Sequence, residues 1–197
     1  MTVFEPSLWP EVPVPPDFEN CLTCGLYQHG TRMVWGEGNP EAPIMILLDN
    51  PGAREDRHGN PFVCGTRQTL QQAAHEVGLT PNDLYVTYIL KRRPTRAYDK
   101  GDVRESCMKT HLPWQLQKKH PRLIFCLGNI AVQAFFQNPD AEVKAMRGEP
   151  HNIQGIPTFV AYHPLAIRRR PNLMPLFLQD WQALTDFYQT LTRREKA

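Results

Sequence analysis

The sequence predicts an α/β fold: a three-layer αβα sandwich around a central, mostly parallel sheet of four strands. Three observations carry this. Short apolar runs alternate with helical patterns along the chain. The runs are continuously apolar, as strands covered on both faces are. Each ends in polar residues or a turn. At 197 residues, one domain buries a full core without staples, and residues 1–197 are read as that domain. The first 19 residues, rich in proline, form an extended arm.

In order, "APIMILLDN" (42–50) is a buried strand that ends at Asp49 and Asn50. "TRQTLQQAAHEVGL" (66–79) carries apolar residues at helical spacing, with Gly78 as its C-terminal stop. "LYVTYIL" (84–90) is the next strand, and "RESCMKTHLPWQLQKKH" (104–120) a helix that Pro113 kinks or breaks. "RLIFCLG" (122–128) is a strand and "NIAVQAFF" (129–136) a helix that starts directly after Gly128. "IPTFVAYHP" (156–164) is the last strand, and "PLFLQDWQALTDFYQTL" (175–191) a closing amphipathic helix. Strand–helix alternation gives parallel strands with crossovers.

The bulk numbers limit the function. Net charge is +2, with 41% hydrophobic and 21% charged residues, so attraction to nucleic acid must come from local clusters. Two exist, one running from Lys91, Arg92 and Arg93 to Arg104, the other Arg168, Arg169 and Arg170. Either reads otherwise as a solvated face. No run approaches the roughly 20 apolar residues of a membrane span, and the N-terminus lacks a signal core. The expectation is a cytoplasmic, monomeric protein without a membrane partner. Five cysteines in a reducing compartment point to packing, metal or chemistry.

Ligands of such folds sit beyond the carboxyl ends of the strands. Three strand ends carry unusual chemistry: Asp49-Asn50-Pro51-Gly52, Lys91-Arg92-Arg93 and Tyr162-His163-Pro164. The carboxylate of Asp49 accepts a proton from water or stabilises positive charge, and Asn50 orients either; Asn-Pro-Gly is equally a plain turn. His163, stiffened by Pro164, can donate to a developing oxyanion.

These motifs resemble the uracil-DNA glycosylase superfamily, most closely its iron–sulfur, family 4-like branch. The counterparts are Cys21-Leu-Thr-Cys24, "LDNPGARED" (48–56), "GNPFVC" (59–64), "YVTYILKRRP" (85–94), "CLG" (126–128), "RG" (147–148) and "YHP" (162–164). The resemblance implies an enzyme that binds single- or double-stranded DNA, flips one nucleotide and hydrolyses its N-glycosidic bond. Asp49 then stands near the attacking water and His163 near the departing base, while Phe62 stacks on that base and Glu55 walls its pocket. Asn50-Pro51-Gly52 is similar to the mismatch-directed branch, where an asparagine handles the water. Leu165 or Ile167 wedges into the vacated stack, with Lys91, Arg93 and Arg168–Arg170 on phosphates.

The chain departs from this family at several points. Tyr88 replaces the asparagine that reads uracil, offering one hydroxyl where an amide offers donor and acceptor. Cys64 replaces a glycine, and Arg67 a small residue, beside the base. Together these favour a modified or bulky base over uracil, in repair or in defence against modified foreign DNA; Tyr88 as a core aromatic is the plain alternative. Of four cluster cysteines Cys21, Cys24 and Cys107 remain, and Arg92 takes the other place. A [4Fe-4S] cluster with an outside ligand, a zinc ion on these cysteines with His111, and no metal stay open. A lesion-binding protein without catalysis is the alternative function.

Overall fold

The computed structural model describes residues 4–57 and 63–195. Seven strands form one sheet: β1 (Glu11–Val12), β2 (Gly36–Gly38), β3 (Ile44–Leu48), β4 (Leu84–Tyr88), β5 (Leu123–Leu127), β6 (His151–Ile153) and β7 (Ile156–Ala161). Their order is β1-β2-β4-β3-β5-β7-β6. The four expected strands are the central ones, β4-β3-β5-β7, and all are parallel. The expected count of four is corrected to seven, because β1, β2 and β6 add antiparallel edges. These strands are two or three residues long, too short to show an alternating pattern.

The helices are α1 (Gly65–Glu76), α2 (Lys100–Lys119), α3 (Asn129–Phe136), α4 (Val143–Met146), α5 (Pro164–Arg169) and α6 (Met174–Glu195). Side chains alternate across a strand, and the two faces divide accordingly. Ile44, Ile46 and Leu48 of β3, with Leu84, Val86 and Tyr88 of β4, pack on Leu70 and Ala73 of α1, Ile167 of α5 and Trp181 of α6. Met45 and Leu47 of β3 and Tyr85 of β4 face Leu112 of α2 and Val132 of α3. The sandwich therefore has its three layers.

Helix α1 stops where Gly78 takes φ 81°, a backbone only glycine adopts freely. Helix α2 starts four residues before the apolar pattern does. Asp99 caps it, its side chain accepting from the Asp102 N–H at 2.9 Å, and Pro113 is accommodated inside it. The last parallel strand ends at Ala161, and His163-Pro164 opens α5, a helix hidden in the sequence behind the strand's own signal. Among the described residues no helix is long and apolar enough to cross a membrane.

Candidate active site

Four parallel strands in neighbouring positions put four strand ends on one rim: Asp49 after β3, Tyr88 at the end of β4, Gly128 after β5 and His163 after β7. A cavity of about 160 Å³ opens there, lined by Asp49, Asn50, Glu55, Arg67, Tyr88 and His163. Residues nearly 120 positions apart in sequence thus share one pocket.

His163 is the N-cap of α5, and its Nδ1 accepts the Leu165 N–H at 3.0 Å. A ring that accepts at Nδ1 carries its proton on Nε2, as assigned from this bond. Nε2 faces Asp49 Oδ1 at 3.4 Å. Gly128, at φ 94°, leaves the space that the imidazole stem fills; a Cβ there would lie 2.9 Å from His163 Cβ. Burial works against the Asp49 carboxylate. The His163 hydrogen bond and charge and the Asn50 N–H, which donates to Oδ1 at 2.8 Å, outweigh it and hold the carboxyl below its usual range. Asn50 lines the cavity with its amide Nδ2 bound to the Pro51 carbonyl at 2.9 Å.

One wall of the cavity is charged. Arg67, from the first turn of α1, is 5% exposed. Its Nη2 donates to Tyr88 Oη at 2.6 Å and lies 4.0 Å from Glu55 Oε1, while its Nε meets the Glu37 carboxylate. Arg67 therefore does not reach outward to a phosphate. Burial opposes its charge, but Glu37, Tyr88 and Glu55 together raise its pKa further above the ordinary arginine value. Cys64 donates its S–H to Glu55 Oε1 at 2.9 Å, and that bond with the Arg67 charge keeps Glu55 below the usual carboxylate range against burial. Sequence reasoning missed Glu37. It lies on β2, and only the antiparallel pairing of β2 with β4 brings it to Arg67.

Two expected DNA contacts are corrected. Lys91 is 1% exposed, and its ammonium is bound inside the protein to Thr87 Oγ1, the Tyr88 carbonyl and Gln115 Oε1, each at 2.7 Å. Burial pulls this amine down to about 7. Ile167 is 2% exposed in the core, because it faces inward from α5, so it is no wedge. Leu165 is 38% exposed at the cavity edge. Arg168, Arg169 and Arg170 are exposed and Arg93 is half-buried. Arg168 lies across Gly65 at the start of α1 and donates to its carbonyl at 3.3 Å. Phe62, the expected stacking residue, lies outside the described residues. Arg147 of the "RG" pair is structural, bound to Asp180 on α6 at 2.9 Å.

The expected metal ligands come together in part. Cys24 and Cys107 hydrogen-bond, and this bond, with the charge of Arg92, lowers the Cys24 thiol to about 6. Cys21 Sγ lies 3.3 Å from Thr23 Oγ1 instead. His111 Nδ1 contacts the Cys107 carbonyl at 2.8 Å and is 3.6 Å from its sulfur, its ring walled by Phe18 and Trp35. Arg92 occupies the remaining place and donates to the Thr31 carbonyl. Among the described residues no three His, Cys, Asp or Glu side chains converge to hold a metal. The residues present do not complete a four-ligand cluster site.

Type-4 uracil-DNA glycosylases align with most of the chain. That of Archaeoglobus fulgidus is 30% identical over 84% of this chain and 86% of its own. That of Pyrobaculum aerophilum is 31% identical over 82% and 86%, and that of Thermotoga maritima 29% identical over 86% and 90%. The family model of the uracil DNA glycosylase superfamily matches residues 35–185, which span every strand end described above, and the chain belongs to that superfamily.

Proposed function

We propose that the protein is a monofunctional DNA glycosylase that turns one non-standard nucleotide out of DNA and hydrolyses its N-glycosidic bond, leaving an abasic site. The observation that carries this reading is the 3.4 Å approach of His163 Nε2 to Asp49 Oδ1 at the mouth of a base-sized cavity. Water attacks C1′ as the C1′–N bond breaks, and the bonding pair leaves with the base. Asp49 takes the proton of the water and faces the positive charge developing on the sugar. His163 Nε2–H donates to the base as its negative charge grows, an interaction strongest in the transition state. Leu165 stands at the edge where the stack is vacated, and Arg168–Arg170 supply phosphate contacts. The cysteines and Arg92 do not complete a cluster, and Asp49 and His163 are the groups that act in this step.

A modified or bulky base fits this pocket better than uracil. Tyr88 stands where relatives read uracil with an amide. Beyond Glu55 and Arg67, which wall the base cavity, lies a second cavity of about 210 Å³ lined also by Trp9, Arg32 and Glu37. Such an enzyme serves in repair or in removal of modified foreign DNA, acting as a cytoplasmic monomer.

The test is incubation with duplexes and single strands that each hold one non-standard base, scored by abasic-site cleavage. Release from at least one, abolished by Asp49→Ala and strongly reduced by His163→Ala with DNA binding retained, is expected. Binding without release from any would leave a lesion-binding protein in its place.

A further inference from the structure

Helices α2 and α3 leave a cavity of about 400 Å³ between them, on the sheet face opposite Tyr88, α1 and α5. Lys100, Arg104 and Met108 line it from α2, and Gln133, Ala134 and Asn138 from α3 and the turn after it. Its α2 wall stands at the rim. Cys107 Sγ accepts the Lys91 N–H just past the end of β4 at 3.4 Å, and Gln115, two turns on, accepts from Thr87 within that strand. The helix therefore descends along the sheet from Cys107, and its first two turns project beyond the strand ends.

The lining sets cations and amides around an apolar floor. Arg104 is half-buried, and its Nε is buried with no hydrogen-bond partner among the described residues. A buried donor left unpaired is costly. Glu105, the carboxylate of the lining, is paired with Lys109 one turn on, while Lys100 adds an exposed ammonium. Met108 is 8% exposed and packs in the core beside Ala134. Gln133 Nε2 donates to the Ala141 carbonyl at 3.3 Å, and Asn138 Oδ1 accepts the Asp140 N–H at 3.0 Å. So assigned, Gln133 keeps an acceptor oxygen and Asn138 keeps its donors.

We infer that this cavity is a second, non-catalytic site that binds one nucleotide unit, with the phosphate on Arg104 and Lys100 and the base over Met108 and Ala134. Its volume lies in the range of small-molecule sites. A guanidinium fork suits a phosphate, a thioether suits the face of a flat ring, and the Gln133 and Asn138 amides suit a base edge. A bare phosphate would leave the apolar floor unused, and an apolar ligand would leave Arg104 unpaired. The unit is either a free nucleotide or one nucleotide of a DNA strand lying along the rim. The inference goes beyond base excision and does not depend on it.

The experiment titrates the full chain, carrying methyl-labelled methionine, with dTMP, thymidine or inorganic phosphate. Binding is read at the Met108 methyl resonance, assigned with Met108→Leu. dTMP should shift it and bind at least about tenfold more tightly than either fragment. Arg104→Gln should weaken dTMP by about tenfold or more at an unchanged melting temperature. Ala134→Leu should block dTMP with Arg104 in place. If the unit belongs to DNA, a duplex displaces dTMP, and Arg104→Gln weakens duplex binding with a salt slope reduced by about 1. If it is a free nucleotide, duplex and dTMP bind together and Arg104→Gln leaves duplex affinity unchanged. A Met108 resonance that dTMP does not move would overturn the inference. So would dTMP binding no tighter than phosphate or thymidine, or binding that survives Arg104→Gln.

Discussion

Replacing Gly128 by alanine should disable catalysis while leaving DNA binding in place. Gly128 has φ 94° and ψ 155°, a region that is essentially glycine-only and costs other residues about 1–3 kcal/mol. The added methyl would sit 2.9 Å from His163 Cβ, whereas carbon atoms pack at about 3.5–4.0 Å. Neither side yields freely, because His163 is fixed at Nδ1 by the Leu165 amide and its backbone begins α5. The imidazole must shift by roughly 0.6–1 Å, and a misplacement near 1 Å costs about 10²-fold in rate. Thermal melting should fall by about 2–4 °C for each kcal/mol of strain in a chain of this size. Single-turnover base release at 25 °C, with duplex affinity and melting temperature on the same preparation, separates these effects. A folded Gly128→Ala protein that releases base at the parent rate would refute the claim that this glycine seats the histidine. Equal losses of rate and affinity would show general damage instead.

Three further outcomes follow from other contacts. Gly65→Ala should displace Arg168, whose guanidinium lies within 2.7 Å of the new methyl position. Weaker binding of all sequences and a salt slope reduced by about 1 are expected if Arg168 holds a phosphate; an unchanged slope would refute it. Arg92→Cys completes four cysteines with Cys21, Cys24 and Cys107. Iron should rise toward about four per chain with brown colour, and a full complement already in the parent would show that Arg92 does not block the site. Asp49 is held below the ordinary carboxylate range by His163. Its stabilisation is present at neutral pH and lost only as pH falls below about 3.9, the unfolded value. Residual release in His163→Ala should therefore lose activity at higher pH than the parent does, and an unmoved acid limb would count against the pairing.

The four central strands were legible because a strand buried on both faces writes a continuous apolar run, as in "IMILL" and "LIFCL". Asp49 and His163 were legible because strand ends of parallel neighbours must share a rim. Lys91 was misread for a physical reason. A lysine after a strand is ordinarily solvated, and only the fold shows that Thr87, Gln115 and a backbone carbonyl surround its amine. Glu37 was invisible because β2 is three residues long, "GEG", with neither apolar run nor alternation. The start of α2 carried a readable sign in Asp99 three residues before Asp102, which the apolar pattern hid.

The two outermost strands have a consequence for handling the protein. β1 has two residues and β6 three, so each edge of the sheet exposes few unpaired N–H and C=O groups. A long, flat edge is a template on which other chains add strands and grow fibres; very short edges deny it. The hydrophobic strands that make the core sticky are held in the middle of the sheet. Concentrated solutions should therefore resist edge-to-edge aggregation as long as the outer strands stay docked.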